Sequence, residues 1–221
     1  MEERYIRNLG ALTEQECAHL RTKTVFVAGC SGLGGYLIEM LLRLGVGTIL
    51  AADGDSFEAS NLNRQLLSSP SALGKPKAGA AAERAALVNP DVRFVAIPEF
   101  VTKENAAELI RGCDAVLDAL DNITARRILA RACAEEGIPL VHGAICGWSA
   151  QAAAIMPGED LIDRIYPEGA RLGSKTSLSF TPPFCAALQV ALCTRLLTGR
   201  PVESGRLYMA DLLDMEMESI F

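Results

Sequence analysis

At 221 residues, half of them hydrophobic and only 5% aromatic, the chain suits one substantial domain whose core is built from Ala, Leu, Val and Ile. The formal charge is −6 and no basic run occurs; non-specific nucleic-acid binding is not expected, because neutralising phosphates needs clustered Lys and Arg. Seven cysteines, at 17, 30, 113, 133, 146, 185 and 193, include no C-x-x-C pair. That argues for small buried hydrophobes in a reducing compartment, against a disulfide framework or a thiolate zinc site. The first residues, MEERYIRN, are charged and lack the apolar h-region of a secretory signal. The apolar stretch 184–197 is broken by Gln189 and Arg195 and is too short for a membrane span, which needs about 20 apolar residues. A cytoplasmic protein is expected.

In chain order, TVFVA (24–28) is a continuous apolar run ending at Gly29, as expected of a strand buried on both faces. Leu33, Leu37, Leu41 and Leu44 follow at helical spacing. GVGTILAAD (45–53) predicts a second buried strand, 75–88 a helix stopped by Asn89-Pro90, VRFVAIP a third strand and 103–111 a helix. DAVLDAL (114–120) predicts a fourth strand, 123–136 a helix and IPLVHGAI (138–145) a fifth strand. Residues 150–157 resemble a further strand, 157–178 an irregular segment, 182–197 a helix, and 206–220 a closing antiparallel hairpin. The alternation implies an α/β fold: a mostly parallel, Rossmann-like sheet with helices on both faces and an antiparallel C-terminal extension. Ligands in such sheets bind beyond the carboxyl ends of the strands. Gly29 to Gly34, Asp53, Asp55, Asp118 to Asn122 and His142 are therefore expected to converge on one crevice.

The loop after the first strand, GCSGLGG (29–35), nearly spells G-x-G-x-x-G, with Gly29 and Gly34 in the outer positions and Ser31 in the middle one, followed by Gly32. Strand, loop and helix come in the order that lets backbone N–H groups hold a phosphate. Asp53, at the end of the second strand, stands where a carboxylate accepts from ribose hydroxyls, which fits NAD and ATP alike. The following segment separates them. DGDSFEASNLNRQ (53–65) and GKPK (74–77) put Arg64, Lys75 and Lys77 beside that strand. Hydride transfer has no need of several cations there, whereas nucleotidyl transfer develops charge on phosphate oxygens. DALDN (118–122) adds carboxylates of the kind a hard Mg²⁺ ion takes, with Asp121 favoured as its ligand. Asn122 is equally placed to cap the next helix.

Together, RYIRN, GCSGLGG, DGDSFEASNLNRQ, GKPKA, NP (89–90), DALDN and VHGA resemble the ThiF/MoeB/HesA family, relatives of the ubiquitin-activating enzymes. The likeness runs from Arg4 to roughly Ala150 and is weaker beyond. It implies one adenylating domain over 1–221: an N-terminal helical arm (1–22), a nucleotide-binding core (23–150), and a crossover segment, helix and hairpin (151–221). It also implies an ATP-dependent adenylyltransferase acting on the C-terminal Gly-Gly of a small ubiquitin-like sulfur carrier, with release of pyrophosphate. Carried over position by position, Gly32 contacts the nucleotide and Asp53 its ribose; Asn61, Arg64 and Lys77 handle the phosphates, and Asp121 binds Mg²⁺. Arg7 reaches in from the partner subunit of a homodimer. Gly29, Ser31, Gly34, Asp55 and Asn122 complete the expected nucleotide site.

Two departures from the family pattern matter. The C-x-x-C pairs that hold a structural zinc in many members are missing, so no zinc is expected. The crossover segment, residues 159–183, carries no cysteine for a covalent link to the carrier. Cys185 falls at the start of an apolar helix and is expected in the core, and no sequence feature lowers the thiol pKa of Cys146. His142 is expected to be structural in preference to catalytic, and Trp148 either lines a carrier-tail groove or packs on the sheet. Three other functions compete: activation of a carboxylate on a modified tRNA base, which the acidic charge disfavours; an NAD-dependent dehydrogenase, which leaves Arg64 and Lys77 unexplained; and a non-catalytic nucleotide-binding partner.

Overall fold

A computed structural model describes residues 2–171, 173 and 176–221. The chain starts with a 3-10 turn, Glu3–Asn8, and α1 (Glu14–Leu20). Helix α1 begins on a capping box: Thr13 Oγ1 accepts from the Glu16 N–H at 3.1 Å, and Glu16 Oε2 accepts from the Thr13 N–H at 2.7 Å. Then follow β1 (Thr24–Ala28), α2 (Gly32–Leu44), β2 (Thr48–Ala52), α3 (Lys77–Val88), β3 (Arg93–Ile97) and α4 (Ala106–Ile110). Next come β4 (Ala115–Asp118), α5 (Ile123–Glu136), β5 (Leu140–Cys146), β6 (Ser149–Ile155) and α6 (Leu161–Ile165). The long α7 (Thr181–Thr198) precedes β7 (Leu207–Asp211) and β8 (Glu216–Ile220).

Among the described residues, eight strands form one sheet in the order β3-β2-β1-β4-β5-β6-β7-β8. The first five are parallel, and β6, β7 and β8 join antiparallel. Alternation along β1 divides the core between two faces. Val25 and Val27 face the cluster that includes α2, α3 and α7, while Phe26 and Ala28 face the one that includes α4, α5 and α6. The expected α/β architecture holds, with narrower strands: β2 begins at Thr48 and β4 ends at Asp118. Inside the stretch read as irregular lies α6, whose buried Leu161 and Ile162 join the core cluster that includes α4 and α5; residues 172, 174 and 175 of that stretch lie outside the described residues. Among the described residues, no helix is long and apolar enough to cross a membrane.

The strand order reverses direction between β1 and β4, which leave the sheet side by side with Ala28 opposite Asp118. At such a switch point, the loops after the two strands diverge and leave a crevice at the sheet's carboxyl edge. The glycine-rich loop forms one wall and residues 119–122 the other.

Candidate nucleotide site

The glycine loop is shaped by contacts that a side chain would obstruct. Gly29 has φ +103°, and a Cβ there would stand 3.0 Å from the Ala119 carbonyl oxygen across the switch point. Gly34, in the first turn of α2, packs so closely under the loop that a Cβ would lie 1.8 Å from the Gly29 oxygen. Ser31 sits at the N-cap of α2 but makes no side-chain cap bond. The first-turn N–H groups of this 13-residue helix are thus not capped by the Ser31 side chain, and the helix dipole favours an anion at that end.

Asp53 holds the loop from the next strand. Its Oδ2 accepts from the Cys30 N–H at 2.8 Å and its Oδ1 from the Asp55 N–H at 2.9 Å. The carboxylate thus sets the backbone of both segments, and Oδ1 keeps a further lone pair for a ribose hydroxyl. Ser31 Oγ lies 3.4 Å from Asp53 Oδ2 and accepts from Lys77 Nζ at 3.1 Å. Lys77 is 95% buried in α3, and its ammonium also pairs with Asp55 at 3.1 Å. Arg64 lies along the same loop: a Cβ on Gly32 would be 3.7 Å from Arg64 Cγ, 3.8 Å from Arg64 Nε and 3.8 Å from Pro182 of α7. The Arg64 guanidinium donates to the Ser60 carbonyl at 2.8 Å and to Asn63 at 2.9 Å. Asn61 is buried, and its Oδ1 accepts from the Glu58 N–H at 3.0 Å; Lys75 is exposed. Two cations thus meet one dipeptide, Ser31-Gly32, at a helix start.

The opposite wall corrects part of the sequence reading. Asp118 and His142 do not reach the crevice; both are fully buried. Arg126 of α5 donates to Asp118 Oδ2 at 2.8 Å, and His142 Nδ1 lies 2.7 Å from the same oxygen. Gln151 Nε2 lies 3.0 Å from His142 Nε2, which fits a neutral ring carrying its proton on Nδ1. Burial tends to raise the Asp118 carboxyl, but the Arg126 charge and the His142 hydrogen bond outweigh it and hold the group below the usual carboxylate range. Burial, reinforced by Arg126, pushes His142 below its ordinary value despite Asp118. The signal sequence reasoning missed is Arg126, eight residues beyond Asp118 and inside a helix that reads as amphipathic. Asp121 and Asn122 are exposed on the wall itself, and Asn122 Oδ1 caps α5 through the Ala125 N–H at 2.8 Å.

Arg7 is exposed on the first turn, far from this crevice. Its neighbour Tyr5 packs at the C-terminal end of α2, where a Cβ on Gly45 would lie 2.6 Å from the Tyr5 ring. The glycine loop is at the other end of that helix, about 20 Å away. Trp148 and Phe180 pack at a tilt of 51° with ring centroids 5.0 Å apart, both half-exposed, Phe180 two residues from Pro182. Cys185 is a core residue whose thiol burial pushes up to about 12; Cys146 is the exposed cysteine at the end of β5.

A doubly wound sheet with a glycine-rich helix start at its switch point, faced by two cations and an acid-bearing loop, defines an α/β nucleotide-binding protein. The ThiF family matches residues 4–220, and the chain belongs to that family; the match covers the C-terminal strands, where motif likeness faded. The chain is 35% identical over 209 residues to the SAMP-activating enzyme E1 of Haloferax volcanii, spanning 91% of this chain and 77% of that protein. Over 191 residues it is 36% identical to the sulfur carrier protein ThiS adenylyltransferase of Bacillus subtilis, spanning 83% of this chain and 57% of that protein. The tRNA threonylcarbamoyladenosine dehydratase of B. subtilis is 35% identical over 142 residues, 64% of this chain and 56% of that protein. The last two relatives thus extend well beyond the matched length. Among solved structures, E. coli MccB with ATP shares the fold, with a TM-score of 0.86 over 100% of this chain and 71% of that one at 19% identity.

Proposed function

We propose that this chain is an ATP-dependent adenylyltransferase that activates the C-terminal Gly-Gly carboxylate of a small ubiquitin-like sulfur carrier. The observation that carries the reading is the meeting of Lys77 and Arg64 on Ser31-Gly32 at the start of α2. A carboxylate attacking a phosphate brings two anions together, so cations and helix-start N–H groups do more for the reaction than a general base. The carrier carboxylate attacks the α-phosphorus, the bond to pyrophosphate breaks, and an acyl adenylate and pyrophosphate result. In this reading Gly29 and Gly34 let the loop close on the phosphates, Asp53 takes the ribose, and Asn61, Arg64 and Lys77 hold the phosphate oxygens. Asp55 keeps the Lys77 ammonium aimed at the loop, and Asn122 keeps Asp121 at the helix start.

Asp121 would hold Mg²⁺ together with the phosphates, and that ion supplies charge neutralisation on the leaving pyrophosphate. The donor set fits: Mg²⁺ is commonly held by one or two carboxylates, waters and substrate phosphates. Among the described residues, no group of three or more His, Cys, Asp or Glu could hold a metal by itself, so the ion would arrive with the nucleotide. In this reading the protein works in the cytoplasm as a homodimer, and Arg7 acts in the partner's site; its position at the far end of α2 from its own glycine loop supports that arrangement. The relatives named as a ThiS adenylyltransferase and a SAMP-activating E1 support the carrier as substrate. The dehydratase relative favours a second substrate, a carboxylate on a tRNA base, although a net charge of −6 offers little to attract RNA.

ATP–pyrophosphate exchange tests the reading. Exchange stimulated by a carrier ending in Gly-Gly, and lost in Asp121→Ala, is expected. Exchange stimulated by tRNA and not by any carrier would favour the second substrate; ATP binding without exchange under either condition would refute catalysis.

A further inference from the structure

Leu120, the residue before Asp121, is gripped on both sides of its backbone. Its N–H donates to Asp118 Oδ1 at 2.9 Å, and its carbonyl accepts from Arg126 Nη2. The same guanidinium donates through Nη1 to Asp118 Oδ2 and to the Gly143 carbonyl of β5, both at 2.8 Å. Beyond Asp121, the Asn122 cap and the Arg126 N–H, which donates to the Asn122 carbonyl at 3.2 Å, fix the start of α5. Both the strand end and the helix start around Asp121 are therefore tied to one buried ion pair. Gln189 of α7 anchors that pair to the sheet by donating to the Asp118 carbonyl at 3.0 Å and to the Val141 carbonyl at 2.9 Å.

A buried Arg and Asp carry a heavy desolvation cost that hydrophobic residues of similar volume would avoid, so stability alone gives little reason for them. The fork does something an apolar pair cannot: it fixes the φ and ψ of the residues leading into an exposed carboxylate. We infer that Arg126, with Asp118, is a positioning residue for the proposed reaction, holding the 119–122 loop so that Asp121 meets the metal of the bound nucleotide. The inference rests on the adenylyltransferase reading and deepens it. His142 completes the device from β5: its Nδ1 contacts Asp118, and Tyr166 packs edge-on against it at 5.7 Å between ring centroids.

The test measures binding, with Mn²⁺ as a paramagnetic probe followed by its resonance signal, and compares ATP affinity with Mn²⁺ against ATP affinity in a chelator. Arg126→Lys keeps a charge beside Asp118, so the fold survives, but one ammonium cannot span Asp118, Leu120 and Gly143 together. The metal's contribution to ATP affinity should fall by about 10–100-fold in Arg126→Lys, as loss of an outer-shell partner does, while chelator affinity stays within about twofold. Asp121→Ala should show the same loss, and Asp121→Ala with Arg126→Lys no further loss. Leu129→Ala, in the core of the same helix, should lower Tm yet leave the metal's contribution unchanged.

Folded Arg126→Lys that binds Mn²⁺–ATP like the parent would overturn the inference. So would loss of chelator affinity to the same degree, or losses that add in the double variant. If Asp121→Ala itself keeps the metal's contribution, the metal reading falls along with the inference. If Asp121→Ala loses it and Arg126→Lys does not, only the inference falls.

Discussion

Gly34 offers the sharpest steric prediction. An alanine Cβ at this position would lie 1.8 Å from the Gly29 carbonyl oxygen, whereas real contacts of this kind stay beyond 3.0 Å, so the backbone must part by at least 1.2 Å (3.0 − 1.8). Neither atom is the end of a flexible side chain; one is the loop that would receive the phosphates. Overpacking of this kind costs about 1–3 kcal/mol, offset by up to about 1 kcal/mol because Ala is the better helix former. In a chain of this length, each kcal/mol moves Tm by about 2–4 °C, so a net cost of about 0–3 kcal/mol should lower the Tm of Gly34→Ala by up to about 12 °C. Nucleotide binding should suffer more than stability, since displacing a binding element by about 1 Å can cost about 10²-fold in function. Calorimetric titration with ATP, beside thermal melting, makes the measurement. Gly79→Ala in α3 is the control, because the nearest atom to its Cβ, on Pro76, would stand at 4.0 Å, ordinary contact. Gly34→Ala that binds ATP as Gly79→Ala does would refute the steric argument.

Three further outcomes follow from the same geometry. Lys77→Met keeps the stem's volume and removes a bond from Asp55, whose side chain is 55% exposed, and one from Ser31, which keeps Asp53; Tm should hold while exchange falls by at least about 10²-fold, and retained exchange would remove Lys77 from the phosphate site. Mixing Arg7→Ala with Lys77→Met should restore about a quarter of the sites in a two-fold dimer, because each mixed dimer has one site free of both defects; no recovery by exchange assay would count against Arg7 acting across subunits. His142 has its folded pKa pushed below its ordinary value by burial, so as pH falls below about 6.5 the unfolded chain takes the proton first. The His142 contribution should be flat above that pH and decline below it by up to about 1.4 kcal/mol per unit; denaturant melts of His142→Asn should lose this slope, and an unchanged slope would place the titration elsewhere.

The parallel half of the sheet was legible because its strands are continuous apolar runs with glycine or acid at their ends. The cation cluster was legible because Arg64 and Lys77 belong to motifs, although nothing local reveals that Lys77 is 95% buried and reaches the loop through Ser31. Helix α6 escaped because its five residues are too few for a period to show. Asp118 was misplaced on the rim for a more instructive reason. Alternation cannot say which of two acids at a strand's end still faces inward, and the partner that decides it, Arg126, lies on the next helix, with His142 contributed from β5. The same blindness concealed the grip on Leu120, which exists only once β4, α5 and β5 are assembled.

If a carboxylate becomes an acyl adenylate at Ser31-Gly32, intact mass spectrometry of the acceptor shows it most directly. A carrier ending in Gly-Gly, incubated with this chain, ATP and Mg²⁺, should gain the mass of one AMP group, and should gain nothing with Lys77→Met or when its last glycine is removed. A carrier left at its original mass, under conditions where the chain is folded and binds ATP, would contradict the account.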